Sequence, residues 1–181
     1  MKFLIASDLH GSAAYCRALL AALARESADR LILLGDILYH GPRNDLPEGY
    51  APKEVIALLS PLKDRILAVR GNCDTEVDQM VLPFPILADY AVMPVGNRLM
   101  YLTHGHKWGG DNPPPLAKGD ILLQGHTHVS GVWEKEDFTL INPGSLSIPK
   151  ENTPRGYIIL EDGLFSFRCL DSGEEYASYK A

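Results

Sequence analysis

The fold follows from the stretch "KFLIASDLHG" at residues 2–11, where an apolar run ends abruptly in polar side chains. Residues 2–7 form a continuous segment that is typical of a strand buried on both faces. Asp8 and His10 follow at once, two residues apart in an extended segment, so both side chains can face the same side. The stretch therefore predicts a central β-strand whose carboxyl end carries functional groups.

The rest of the first half repeats this arrangement. The segments "RLILLG" (30–35) and "RILAVRG" (65–71) predict two further buried strands. Helical periodicity over 12–28, and a proline at the start of 52–62, predict one helix between each pair of strands. This β-α-β-α-β order gives parallel strands joined by right-handed crossovers.

The second half is predicted to be mostly β. Hairpin turns are expected at Gly96-Asn97 and at Asp162-Gly163, and residues 120–128 contain another short apolar strand. A β/α half followed by a β half predicts an α/β fold, a sandwich of two sheets with outer helices. At 181 residues the chain is expected to form a single domain, 1–181.

Composition restricts the class of protein. The net charge of −6 argues against binding to nucleic acid through phosphate neutralisation, so no nucleic-acid-binding surface is expected. Three widely spaced cysteines predict neither a disulfide framework nor a zinc finger, and they favour the cytoplasm. The N-terminal apolar run is too short for a signal peptide, and no segment is long enough to span a membrane.

Five short segments each follow an apolar strand and carry side chains that can bind metals. Parallel strands present their carboxyl ends at one edge of a sheet, so we expect these segments to converge. Each motif is weak alone, but five of the six histidines lie in these segments. Nitrogen and carboxylate ligands without thiolates suit manganese, iron or zinc at an open catalytic site. The candidates are Asp8, His10, Asp36, Asn72, His104, His106, His126 and His128.

The blocks "DLHG", "GD", "GNCD", "THGH" and "GHTH", in that order, resemble the calcineurin-like metallophosphoesterases. Further matches at residues 41–52, 70–80 and 142–150 resemble the small bacterial phosphodiesterases of YfcE type within that superfamily. The resemblance covers nearly the whole chain. It implies a four-layer α/β/β/α sandwich of two mixed sheets, with a centre that holds two metal ions.

The resemblance also implies how the ligands divide. One ion is expected to be held by Asp8, His10, Asp36 and His128. The other is expected to be held by Asp36, Asn72, His104 and His126, with Asp36 bridging the two. The implied reaction is hydrolysis of a small phosphodiester by a hydroxide that bridges two divalent ions, without a covalent intermediate. Manganese is the expected metal, and iron and zinc are alternatives. A phosphomonoesterase or protein phosphatase of the same fold, and a non-catalytic scaffold, remain alternatives, and homo-oligomerisation stays open.

Three other residues are candidates for a catalytic role: Cys73, Asp74 and Arg43. Histidine usually stands at the position of Cys73 in the family, so the thiol is interpreted as a weaker acid that sets the preference between monoesters and diesters. A nucleophilic role for it is disfavoured because the acidic segment after it offers no phosphate-binding loop. Arg43 is expected either to bind a phosphate oxygen or to pair with Asp45.

Four more positions are expected to support the site. His106 is predicted to hydrogen-bond near the centre or to orient His104. Asn142 and Ser145 are predicted to shape a turn beside it. Trp108 is expected to wall the substrate cleft or to pack against another subunit.

Overall fold

The strands and helices alternate along the first half of the chain, and strands alone fill the second half. The computed structural model describes residues 1–181. The first half contains β1 (Phe3–Ala6), α1 (Ala13–Arg25), β2 (Arg30–Leu33), α2 (Pro52–Leu59), a 3-10 helix (Ser60–Arg65), β3 (Ile66–Ala68) and α3 (Glu76–Val81). The second half contains β4 (Tyr90–Val95), β5 (Arg98–Thr103), β6 (Asp120–Leu123), β7 (Ser130–Glu134), β8 (Phe138–Pro143), β9 (Gly156–Glu161), β10 (Leu164–Cys169) and β11 (Glu175–Lys180).

A six-stranded sheet has the strand order β11-β10-β9-β1-β2-β3. Strand β1 is parallel to β2, with Leu4 opposite Leu31, and β2 is parallel to β3. The helices α1 and α2 provide the crossovers, so the predicted parallel β-α-β-α-β unit is confirmed. Strand β9 pairs antiparallel with β1 and makes the sheet mixed.

A five-stranded sheet has the order β4-β5-β6-β8-β7, with β5, β6 and β8 parallel. The antiparallel pairs β4-β5 and β9-β10 turn where predicted, around Gly96-Asn97 and Asp162-Gly163. The two mixed sheets and their helices confirm the predicted fold class. No helix follows Val81, so every helix comes from the first half.

Two apolar clusters hold the layers together. Between the sheets, Ile5 of the first packs in one cluster with Leu102 and Ile141 of the second. On the other face of the six-stranded sheet, Leu19 of α1 is buried with Leu31 of β2. Because the inter-sheet cluster takes side chains from both halves, we propose that residues 1–181 form one domain.

Several elements differ from the predictions. The helix expected over 52–62 becomes a 3-10 helix from Ser60, because Pro61 has no N–H to donate to the α-helical ladder. Helix α3 has only 6 residues and was not predicted; its capping box is formed by Thr75 and Asp78. Strand β11 is mostly exposed, so it lacks the apolar pattern of a buried strand. None of the helices is long and apolar enough to cross a membrane.

Candidate metal centre

The carboxyl ends of five strands supply the centre. Asp8, Asp36 and Asn72 lie in the loops after β1, β2 and β3, while His104 follows β5. His126 and His128 follow β6. Backbone hydrogen bonds join these loops: the His10 N–H donates to the Asp36 carbonyl (2.9 Å), and the Gly125 N–H donates to the His104 carbonyl (3.0 Å).

Much of the centre is held in an unusual backbone conformation. Non-glycine residues rarely adopt the left-handed region, which costs free energy and persists only where the surrounding structure enforces it. The structure contains nine such residues, and five of them are predicted ligands. These are Asp8 (φ 56°), His10 (φ 49°), Asp36 (φ 53°), His126 (φ 68°) and His128 (φ 63°). The strain indicates that the fold positions these side chains for function.

The first predicted set of ligands is assembled. His10 Nε2 lies 3.2 Å from His128 Nε2 and 3.6 Å from Asp8 Oδ1. Asp8 Oδ1 lies 3.2 Å from His128 Nε2, and Asp36 Oδ2 lies 3.8 Å from His10 Nε2. Atoms about 2.0–2.2 Å from one ion lie roughly 3 Å from each other, so this spacing suits a shared cation.

The second predicted set is also assembled and shares Asp36. His104 Nε2 lies 3.1 Å from Asn72 Oδ1, 3.2 Å from His126 Nδ1 and 3.4 Å from Asp36 Oδ2. The structure therefore brings all seven predicted metal ligands together, around one common carboxylate oxygen.

The hydrogen bonds of the histidines show that this arrangement suits cations. A backbone carbonyl can only accept, so each neutral ring that contacts one through Nδ1 carries its proton there, and its Nε2 offers a lone pair to a metal ion or to a second proton. Asp8 Oδ1 is buried with no hydrogen-bond partner, although three such Nε2 atoms lie within 4.0 Å. Lone pairs and carboxylates converging in this way require positive charge between them. The contacts are His10 to Tyr39 (2.9 Å), His104 to Leu34 (2.7 Å) and His128 to Ile148 (2.7 Å).

Without metal, protons supply part of that charge. Burial alone lowers the pKa of His104, but the carboxylates of Asp8 and Asp36 outweigh it and raise that pKa to about 9. Burial alone raises the pKa of Asp8, yet the charge of His104 and the contacts with His10 and His128 hold it well below its usual range. The centre therefore takes up a proton that a metal ion has to displace.

Metal binding is consequently expected to release protons. The pKa of His104 is about 9 in the metal-free protein, and a metal requires neutral imidazole. The apparent affinity for Mn²⁺ should therefore rise with pH by up to about tenfold per pH unit below about pH 9 and level off above it. Calorimetry in two buffers of different ionisation enthalpy measures the protons released.

The control for this experiment is His106→Gln. Burial and the charge of His104 lower the pKa of His106 to about 4, so it is already neutral at pH 7 and its loss should leave the proton count unchanged. Binding of Mn²⁺ without proton release at pH 7 would show that the metal displaces no proton from His104, and hence that His104 is not a ligand.

Asp74 contacts the backbone beneath the ligands, not the cleft. Its Oδ2 accepts N–H groups from Asp36 and Gly71 (2.8 Å each), and its Oδ1 accepts the Ile37 N–H (2.9 Å). The side chain is 1% exposed, and burial raises its pKa to about 6 against the lowering effect of these donors. We therefore infer that Asp74 positions Asp36, in place of the catalytic role predicted for it.

The Cys73 thiol lies beside the centre but does not line the polar cleft. Sγ accepts the Asn72 side-chain amide (3.2 Å), which leaves Asn72 Oδ1 facing His104. Cys73 is 7% exposed and lines a separate hollow with Leu38, Tyr39 and other residues. Burial raises the pKa of the thiol, and the Asp36 carboxylate raises it further. A thiol held protonated here suits a role in orienting Asn72; its role in specificity stays a prediction.

A polar cleft of about 370 Å³ opens over the centre. Its lining contains no hydrophobic residue and consists of Asp36, Arg43, Asn44, Asn72, His126, Thr127, His128 and Lys150. Arg43 lines this cleft and forms no ion pair with Asp45, and its binding of a phosphate oxygen stays a prediction. Lys150 was not predicted as a site residue, although it is the last residue of the segment 142–150 that carries part of the family resemblance.

Other supporting contacts were predicted in part. Asn142 donates its amide to the Gly125 carbonyl (2.8 Å), and Ser145 donates its hydroxyl to the Asp8 carbonyl (2.8 Å), so both hold the loops of the centre. His106 packs its ring against those of His104 and His126, at 5.4 Å and 6.3 Å between centroids, and its Nδ1 forms no hydrogen bond, so an orienting role for it stays a prediction. Trp108 does not line the cleft. Ser7 was missed; its hydroxyl donates to Asp8 Oδ2 (2.6 Å).

Comparisons with known proteins agree with this architecture. The profile of the calcineurin-like phosphoesterase superfamily domain matches residues 1–162. Phosphodiesterase YfcE of Escherichia coli K12 is 44% identical over 171 residues, which span 94% of this chain and 93% of that protein. A solved structure of the E. coli phosphoesterase Yfce has a TM-score of 0.95 and 42% identity, and 99% of each chain is covered. Vacuolar protein sorting 29 from Cryptosporidium parvum has a TM-score of 0.63 at 18% identity over 99% of this chain and 98% of that chain, which shows the fold alone.

Proposed function

The chain belongs to the calcineurin-like phosphoesterase superfamily, and from that membership we propose that it hydrolyses small phosphodiesters with two divalent metal ions. The observation that carries the proposal is the pair of four-atom ligand sets that share Asp36 Oδ2. The relative that is 44% identical carries the name phosphodiesterase, which supports the same class of substrate.

The residues of the centre define what each ion would contact. Asp8, His10, Asp36 and His128 would hold one ion, and Asp36, Asn72, His104 and His126 would hold the other. Two divalent ions held there would supply Lewis-acid activation of water and neutralisation of charge on the phosphoryl oxygens. We propose manganese because the set contains imidazole, carboxylate and amide donors without a thiolate, a combination that also suits iron or zinc.

The protein itself contributes positioning and charge. The strained loops and the backbone contacts of the histidines hold the ligand atoms in place before metal or substrate arrives, so little reorganisation is needed during the reaction. Arg43 extends from the loop after β2 into the cleft, and a guanidinium can donate two parallel hydrogen bonds to phosphate. We propose that Arg43 binds a non-bridging oxygen of the scissile phosphate.

We also propose a cytoplasmic location, because Cys16, Cys73 and Cys169 are all free thiols and a reducing compartment preserves such a state. The proposed partner is a small-molecule substrate. Homo-oligomerisation stays a prediction.

The test is hydrolysis by metal-stripped protein with and without Mn²⁺. Bis(p-nitrophenyl) phosphate should be turned over only when Mn²⁺ is present, and faster than p-nitrophenyl phosphate. Turnover of the monoester alone would indicate a phosphomonoesterase. Absence of metal-dependent turnover of both substrates would contradict an enzymatic function.

A further inference from the structure

We infer that Lys150 binds a second anionic group of the substrate, so that the preferred phosphodiester carries an additional negative charge on one arm. This inference rests on the proposed phosphodiesterase function and specifies its substrate class. Three features of the cleft carry it: its unpaired cations, its lack of apolar surface, and the anchored backbone at Lys150.

The cleft concentrates positive charge in an acidic protein. The chain has a net charge of −6, yet the cleft contains two cations, Arg43 and Lys150, and one carboxylate, Asp36. Neither cation forms an ion pair, whereas Arg17, Arg70 and other surface cations do. A phosphodiester carries one negative charge at the scissile phosphate, which the two ions and Arg43 would match. Lys150 is then available to a second anion.

The walls of the cleft favour the same kind of ligand. None of its lining residues is hydrophobic, so an alkyl or aromatic arm would find no apolar surface to pack against. Asn44 and Thr127 offer neutral hydrogen-bonding groups. A polar, charged arm is therefore the chemistry that this cleft can recognise.

Lys150 is anchored to the metal centre and does not lie on a loose loop. Its backbone N–H donates to the carbonyl of His128, a proposed metal ligand, at 3.0 Å. The Thr153 hydroxyl donates to the Lys150 carbonyl at 2.8 Å. Glu151 and Asn152 both adopt left-handed backbone conformations (φ 52° and 58°), which turns the chain sharply after Lys150. The base of this side chain is thus fixed relative to the proposed site of reaction.

A pair of diesters with one leaving group tests the inference. The substrates are p-nitrophenyl ethyl phosphate and p-nitrophenyl 2-carboxyethyl phosphate, assayed with the Mn²⁺-loaded protein. An exposed charge pair is worth up to about 1 kcal/mol, so kcat/KM for the carboxylated diester should be about fivefold higher. Lys150→Ala should remove this preference, and Lys150→Arg should retain most of it. Lys118→Ala removes an exposed lysine outside the cleft and should leave the preference intact.

The variant Arg43→Ala distinguishes the role of Arg43 from that of Lys150. It should lower kcat/KM for both diesters by a similar factor, because both contain the scissile phosphate. The inference is overturned if the wild type shows no preference for the carboxylated diester, or if Lys150→Ala affects both diesters equally.

Equilibrium binding provides a second measurement that does not depend on turnover. Calorimetry with the Mn²⁺-loaded protein should show 4-phosphonobutyrate binding more tightly than butylphosphonate, and Lys150→Ala should abolish the difference. Equal affinities in the wild type would overturn the inference. If neither diester is hydrolysed, the proposed function fails, while the phosphonate pair still decides whether Lys150 binds an anion.

Discussion

Replacement of Asp36 by asparagine is expected to lower metal-dependent diester hydrolysis by at least about 10²–10³-fold, the usual effect of removing one preorganised electrostatic group. Asp36 Oδ2 belongs to both ligand sets, at 3.8 Å from His10 Nε2 and 3.4 Å from His104 Nε2. A neutral amide provides neither the charge nor the basicity of a shared carboxylate. Activity on bis(p-nitrophenyl) phosphate and the bound metal per chain are the two measurements.

The fold should survive this change. The Cys73 N–H donates to Asp36 Oδ1 (2.8 Å), and an asparagine side-chain oxygen can still accept that hydrogen bond. Asp45→Asn is the matched control because it makes the same change of charge at an exposed loop position outside the cleft. Full activity of the Asp36 variant at unchanged metal content would rule out the shared centre.

Replacement of Asp74 by alanine is expected to reduce the free energy of unfolding by about 3 kcal/mol or more, because it leaves three buried N–H groups without an acceptor. The donors belong to Asp36, Ile37 and Gly71, so two loops of the metal centre lose their common support. Gly71 packs so closely on Asp36 that a Cβ there would collide with it, which shows how tightly these loops fit. Activity should therefore fall together with stability.

The control for this effect is Asp78→Ala in the same segment. Asp78 is part of an exposed capping box, and loss of such a contact typically costs about 1 kcal/mol. Chemical denaturation of both variants measures the difference. If Asp74→Ala is no more destabilised than Asp78→Ala, then Asp74 does not support the centre as inferred.

Local patterns predicted the fold and the ligand types. Apolar runs such as 2–7 report burial directly, and the alternation of strand and helix restricts the topology, so the parallel unit followed from sequence. The polar residue at each strand end marked the ligand positions because parallel strands share one carboxyl edge. Division of those ligands between two ions came from the family resemblance, not from the pattern.

Directions of neighbouring side chains could not be predicted in the same way. Asn72, Cys73 and Asp74 are consecutive, yet their side chains make different contacts. Asn72 Oδ1 faces His104, the Cys73 thiol lies beside the centre and also lines a separate hollow, and Asp74 accepts hydrogen bonds from the backbone beneath Asp36. Contacts with distant segments decide these directions, and the sequence does not display such contacts. Lys150 was missed for the same reason: only folding places its loop beside Arg43.

The most direct test of the account is the number of manganese ions bound by metal-stripped protein after equilibrium dialysis, measured for the wild type and for Asp36→Asn. The two ligand sets predict two ions per wild-type chain and the loss of at least one in the variant. A wild-type chain that binds one ion or none while it hydrolyses the diester at full rate would contradict the account.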